Sequence, residues 1–177
     1  MFDPLPEHLA TPPGLRPAAV LVPVFGPGPL GQGALLFTVR APHLAHHRGQ
    51  ISFPGGRLEP GESPAEGALR EAYEEVRLPP ERVRLLGALR PVLSPAGFWV
   101  LPVVGRVEGS VEPVPNPEEV AEVFLAPISE LQAARAWPEW RRGRYVWHYP
   151  WRGRDIWGVT GNILHDFLAR LEGKEAK

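Results

Sequence analysis

The sequence predicts an α+β fold, a mostly β domain sandwiched by helices in an α/β/α layering. Three observations carry that expectation. Short apolar runs recur along the chain, punctuated by Gly and Pro, as strands joined by tight turns are. A central segment, Ser63 to Leu78, holds both the start and the stop signals of a helix. Near the end, Thr160 to Leu171 sets Ile163, Leu164, Phe167, Leu168 and Leu171 on one helical face.

Residues 1–15, with Pro4, Pro6, Pro12 and Pro13, are expected to form an irregular arm ahead of a single domain over 16–177. Ala18 to Phe25 reads as a strand, with Pro23 marking an edge or bulge. A Gly/Pro turn leads to a second strand, Ala34 to Arg40, and the two should form a hairpin. Pro42 to Gln50 is a polar loop with three histidines, followed by a brief extended piece at Ile51 to Phe53. Ser63 is a good N-cap, Pro64 a good first helical residue, and Glu66 completes a capping box. Pro79 and Pro80 stop that helix. Val83 to Leu93 and Phe98 to Val107 read as two strands joined at Pro95-Ala96-Gly97. Val120 to Leu125 is a further strand, Ile128 to Ala134 a short helix, and Tyr145 to Tyr149 an extended segment.

Composition narrows the function classes. Nineteen basic and twenty acidic residues among 177 leave a formal charge of −1, so no global field favours nucleic acid or an anionic membrane. With no cysteine, disulfides, thiolate metal sites and a Cys nucleophile are excluded. The start of the chain lacks a basic stretch followed by an apolar run, and nothing approaches the roughly 20 apolar residues of a membrane span. A cytoplasmic protein is expected.

The chemistry concentrates in Gly56 to Leu78. Ala65, Ala68, Leu69, Ala72 and Val76 share one helical face, while Glu71 and Glu75 lie together on another with Glu74 beside them. Three carboxylates so close repel one another, and a hard divalent cation would relieve the repulsion. Gly55 and Gly56 would let backbone carbonyls approach the same cluster. Taken alone, the carboxylates read more readily as a solvated acidic face paired with Arg70, since surface Glu clusters are common. The spacing is what decides. Gly56, Glu62, Arg70-Glu71 and Glu74-Glu75 coincide in this pattern by chance about once in ten million starts.

This stretch resembles the Nudix box, and the chain is identified as a member of the Nudix hydrolase superfamily, with its fold. The resemblance implies Mg²⁺ or Mn²⁺ as cofactor, with Glu71 and Glu75 as principal metal ligands and Glu74 as an auxiliary. It implies a Gly55 or Gly56 carbonyl in the first shell, Arg70 holding the carboxylates, and Glu62 supporting the loop. Glu119 is the favoured general base outside the box, with Glu122 behind it; Glu118 and Glu119 equally suit the start of a surface turn. Arg77 stands where the family has a helix-ending glycine, so a C-cap should be missing there.

Residues ahead of the box resemble the coenzyme A pyrophosphatase branch: Leu36 to Arg40, His43-Leu44, His47, Gly49-Gln50 and Phe53-Pro54-Gly55-Gly56-Arg57. That implies cleavage of coenzyme A or acyl-CoA to 3′,5′-ADP and a 4′-phosphopantetheine. Ala45 and Ala41 replace an arginine and a serine of the branch, with His46 and Arg48 nearby to supply charge. Arg40, His47, Arg48 and Arg57 are the expected contacts to an anionic small-molecule substrate. The alternative for these bases is mere balance of the acidic helix, and for His43 with His47 a transition-metal pair. ADP-ribose, NADH or a dinucleoside polyphosphate are the rival substrates, and a nucleotide-binding domain without turnover is the rival from another class. Trp147 and Trp157 are expected in a core or interface. Dimers are common in the wider family, so a homodimer stands beside the monomer as an oligomeric state.

Overall fold

The computed structural model describes residues 1–44 and 49–174. In chain order the elements are β1 (Arg16–Phe25), β2 (Ala34–Arg40), β3 (Ile51–Ser52), β4 (Gly55–Arg57) and α1 (Pro64–Val76). Next come β5 (Val83–Ala88), β6 (Val92–Leu93), β7 (Phe98–Val107), β8 (Val120–Pro127) and α2 (Ile128–Ala133). The chain then forms β9 (Trp137–Arg141), β10 (Arg144–Trp151), β11 (Arg154–Trp157) and α3 (Gly158–Leu171).

The main sheet has eight strands and is mixed. Along one edge of β1 runs β7, parallel, from Arg16↔Phe98 to Val24↔Arg106. Its other edge is divided: β4 pairs antiparallel with Ala18 to Val20, and β2 with Val24 and Phe25. The expected β1–β2 hairpin is thus present but short. It splays open where Gly55 and Gly56 enter, and this gap locates the site.

Side chains alternate across a strand, and the two faces found two cores. Val22, Val24, Leu35, Phe37 and Val104 pack with Ile163, Leu164 and Phe167 of α3. Ala19, Leu21, Leu36, Leu101 and Val103 pack instead with Ala68, Ala72 and Val76 of α1. Helices therefore cover both faces, as the α/β/α expectation requires. Each fully buried Leu or Phe contributes about 1.5–3 kcal/mol, so the large side chains of the α3 layer anchor the fold. Small Ala68 and Ala72 let α1 lie close to the sheet.

Ser63 caps α1 by accepting the Glu66 amide at 3.2 Å, with Pro64 opening the helix. Its far end differs from expectation. Arg77 adopts the left-handed conformation at φ 57° that the family's glycine would supply. The Arg77 amide reaches Tyr73 O at 3.0 Å, the single bond of an αL cap, and the Leu78 amide adds a longer contact to Ala72 O at 3.4 Å. Burial of Leu78 against the α1 layer offsets the strain at Arg77.

Two further elements depart from the sequence reading. Val83 to Leu93 is interrupted after Ala88, where Asp3 bridges to Ala88 and the Leu89 amide turns to Pro102 O at 3.0 Å. The segment around Tyr145 to Tyr149 is the middle of a second, three-stranded antiparallel sheet, β11-β10-β9. Stacked rings link the sheets: Phe53, Phe37, Phe124 and Trp151 follow at centroid spacings of 4.7, 5.4 and 5.4 Å. Trp147 and Trp157 are half-buried, whereas Trp137 and Trp140 are exposed. Residues 1–15 contain no helix or extended strand, yet Phe2 stacks on Phe167 and Asp3 pairs with Arg170 at 3.0 Å. No helix among the described residues is long and apolar enough to cross a membrane.

Candidate active site

The acidic face of α1 looks onto β4, the short strand inserted beside β1. Glycine occupies the first two positions of that three-residue strand. A Cβ on Gly55 would meet Ala19 O at 2.4 Å, and one on Gly56 would meet Glu71 Oε1 at 2.7 Å. The backbone of Gly56 thus lies directly against the Glu71 carboxylate, and the Gly55 amide donates to Glu75.

Arg70 ties the box together. Its Nε and Nη2 donate to Glu62 at 2.8 and 2.9 Å, and its Nη1 to Glu71 at 3.0 Å. Nη2 also donates to Arg57 O at 3.1 Å, fixing β4 to the helix. Glu74 is the outlying carboxylate, 3.4 Å from Arg70 and largely in solvent. Glu62 accepts the Glu59 amide at 3.1 Å, closing the loop before the helix. The hydrogen bonds from Arg70 hold the Glu62 carboxyl below its ordinary range.

Burial drives the opposite shift in the two inner carboxylates. Desolvation raises Glu71 above its usual value, with Arg70 opposing and Glu74 and Glu119 adding repulsion. Glu75, buried more deeply, is pushed up to about 8, first by desolvation and then by Glu71 and Glu119. A pair of carboxylates held at this cost is the reverse of a solvated acidic face.

Glu119 reaches the cluster because its loop is clamped to the end of α1. Asn116 donates its amide to Glu75 O at 2.8 Å and Val114 to Val76 O at 2.9 Å. The Ala41 amide donates to Glu119 O at 3.0 Å, and His43 Nε2 bonds Glu118 O at 2.9 Å. His43 therefore supports the Glu119 loop. These contacts join distant segments and leave no local signal in the sequence. Glu122 points elsewhere and pairs with Arg154 of β11.

A cavity of about 300 Å³ opens beside Gly55 and Gly56, bordered by Arg40, Gln50, Arg57 and the rings of Phe53 and Phe98. Arg40 also acts electrostatically on Glu75. Thr160 pins α3 to the same wall by donating to Ile51 O at 3.0 Å. Of the expected substrate contacts, Arg40 and Arg57 border this cavity; His47 and Arg48 lie outside the described residues, as does Ala45.

Among the described residues no three carboxylate, imidazole or thiolate groups converge closely enough to enclose an ion by themselves. Mg²⁺ and Mn²⁺ commonly keep several waters and bind through one or two carboxylates plus substrate phosphate. Raised carboxylates at Glu71 and Glu75, against a glycine backbone, fit such an ion in both hardness and charge.

Fold and site together define a hydrolase of nucleotide diphosphate compounds. The chain belongs to the Nudix family: the NUDIX domain matches residues 15–147. It is 40% identical to the uncharacterized Nudix hydrolase NudL of Pectobacterium atrosepticum over 94% of this chain and 92% of that one. A NudL of Salmonella paratyphi B is 41% identical over 88% and 83%. Among solved structures it resembles RenU, a Nudix hydrolase of M. smegmatis, at 29% identity and TM-score 0.54 over 64% and 71% of the two chains. A C. elegans Ap4A hydrolase shares the fold at 17% identity and TM-score 0.59 over 88% and 98%. Nudix hydrolases generally use divalent metal ions such as Mg²⁺ or Mn²⁺.

Proposed function

We propose that the chain hydrolyses the diphosphate of coenzyme A or acyl-CoA, releasing 3′,5′-ADP and (acyl-)4′-phosphopantetheine. The observation that carries this reading is the placement of Arg40 and Arg57 on the cavity that begins at Gly55 and Gly56. A polyanion entering there meets Arg40 and Arg57 beside Gly56, whose backbone abuts the Glu71 carboxylate. The pre-box residues that resemble the coenzyme A branch supply several of that cavity's walls, including Gln50 and Phe53.

In this assignment Glu71 and Glu75 would hold Mg²⁺ or Mn²⁺, with Glu74 as an auxiliary and the Gly55 or Gly56 carbonyl as a further ligand. A bound divalent ion supplies charge neutralisation at the diphosphate and acidifies water. Arg70 orients Glu71 through its hydrogen bond. Arg40 and Arg57 orient the diphosphate. Glu119, brought beside both inner carboxylates, takes the proton of the attacking water.

Product analysis tests the reading. The protein is incubated with coenzyme A, ADP-ribose, NADH and a diadenosine polyphosphate, each with Mg²⁺ or Mn²⁺ in ¹⁸O water, and products are weighed by mass spectrometry. Preferential release of 3′,5′-ADP from coenzyme A is the expected result. Cleavage of another substrate while coenzyme A survives overturns the substrate and keeps the hydrolase.

A further inference from the structure

A second cavity, about 600 Å³, lies against the first and shares Ser94, Pro95 and Val159 as lining. Its chemistry is different. Arg141, Arg142 and Arg144 border it beside the half-buried ring of Trp157. Three guanidinium groups at one cavity, on a chain of formal charge −1, make a strong local positive field.

The hairpin between β9 and β10 sets these arginines in place. Arg141 pairs with Arg144, leaving Arg142 and Gly143 as a two-residue turn with φ of 50° and 80°. Both positive values define a type I′ turn, whose first position favours Asn, Asp or Gly. An arginine there holds its backbone in a conformation that a residue with a side chain rarely adopts. The next hairpin carries the same Arg-Gly pair, and there Arg152 is used by the fold: it pairs with Glu130 at 2.8 Å and covers Trp151 at 4.9 Å. Arg142 has no such partner among the described residues. Arg141 lies 5.3 Å over Trp157 and 4.0 Å from Glu139, and Arg144 donates to Leu93 O. Two arginines are thus braced, and the third stands free at the cavity between them.

We propose that this cavity is a second anion subsite, which takes a phosphomonoester carried by the substrate away from the diphosphate being cut. Resting on the coenzyme A reading, the occupant is the 3′-phosphate of the nucleotide half. The diphosphate lies at Gly55 and Gly56, the sugar and base pass along Ser94, Pro95 and Val159, and the phosphate meets Arg142 and its braced neighbours. Arginine grips such a group through paired N–H donors. A diphosphate substrate lacking that group leaves the subsite without an anion.

The test separates this subsite from the reaction. 3′,5′-ADP and AMP are titrated calorimetrically into the wild-type protein and into Arg142→Asn, a substitution suited to the turn. A second variant, Arg141→Gln, keeps the β9 strand while removing its charge. Wild type is expected to bind 3′,5′-ADP at least tenfold more tightly than AMP, with the ratio falling toward one in Arg142→Asn and dropping in Arg141→Gln. Equal affinities in wild type, no binding of either nucleotide, or a ratio unchanged in both variants overturns the subsite. Turnover of coenzyme A and dephospho-CoA is measured alongside. If the binding ratio holds while coenzyme A is not cleaved, the subsite stands and the proposed reaction falls. If coenzyme A is cleaved no faster than dephospho-CoA and the binding ratio is one, the reaction stands and the subsite falls.

Discussion

Arg70 and Glu62 are joined by two hydrogen bonds, at 2.8 and 2.9 Å, across the loop that separates the glycine strand from the acidic helix α1. The same guanidinium holds Glu71 and the Arg57 carbonyl. Removing it strands partly buried carboxylates and also frees the loop. Arg70→Ala is expected to cost about 2 kcal/mol in urea denaturation, below the figure for a fully buried pair because solvent screens this one. Turnover should fall further than stability does. Arg70→Lys, which cannot bond in a fork, should recover stability better than activity.

The inner carboxylates should separate function from stability. Glu71→Gln and Glu75→Gln are each expected to cut turnover by orders of magnitude while far-ultraviolet circular dichroism stays native. In Glu75→Gln the metal-free protein should melt higher than wild type at pH 9, because the substitution removes a buried charge next to Glu71 and Glu119. A lower melting temperature there would contradict the desolvation of Glu75.

Metal affinity should depend on pH with a definite sign. Glu75 titrates near 8 without metal, so at pH 6 it carries a proton that a cation must displace. Mn²⁺ binding, followed by calorimetry in buffers of different ionisation heat, should tighten from pH 6 to pH 8 and release a proton. Taken without metal, the linkage runs the other way. A carboxyl raised in the fold favours the folded state below its unfolded value of about 4.5, and that contribution is lost as pH rises through 8.

The two glycines of β4 should fail differently. Gly56→Ala sets its Cβ against the end of Glu71, a side chain that can move, so stability should change by less than about 1 kcal/mol while activity collapses. Gly55→Ala meets Ala19 O and Val20 Cα, which are backbone, at 2.4 and 2.5 Å. It should cost about 2 kcal/mol or more. Chemical denaturation of both variants beside an activity assay makes the comparison.

His148 supplies a test remote from the site. Burial lowers its pKa, but Asp155 and Glu139 at 2.7 and 2.8 Å outweigh that and raise it above the ordinary histidine value. Its stabilising contribution is therefore fully present below about pH 6.5 and lost as pH rises through the raised value. The difference in unfolding free energy between wild type and His148→Gln should shrink by at most about 1 kcal/mol over that window. NMR titration of the imidazole checks the direction.

How much of this was legible in the sequence follows from where each signal sits. Helix α1 declares itself through Ser63, Pro64 and the spacing of its alanines, all local. The carboxylates, Arg70 and the glycine pair lie in one continuous stretch, so the spacing that marks the candidate site is a local signal. Arg77 reads in the sequence as a missing C-cap, whereas burial of Leu78 holds the left-handed cap with arginine. The second sheet escaped because its two turns are built on Arg142-Gly143 and Arg152-Gly153, not the Asn-Gly that announces a type I′ hairpin. Clamping of the Glu119 loop by Asn116, Val114 and Ala41 was invisible for another reason. Backbone bonds between distant segments carry no residue signature.

The parallel pairing of Arg16 with Phe98 also constrains the order in which the molecule can be built. During synthesis β1, β2, β4 and the whole of α1 leave the ribosome before any of β7 does. The central strand then has an open edge and an exposed apolar face, the condition in which nascent chains associate wrongly or recruit chaperones. Sheet closure must also await a contact distant in sequence, which slows folding. The segment that carries Glu71, Glu74 and Glu75 is therefore translated well before part of the sheet that packs behind it.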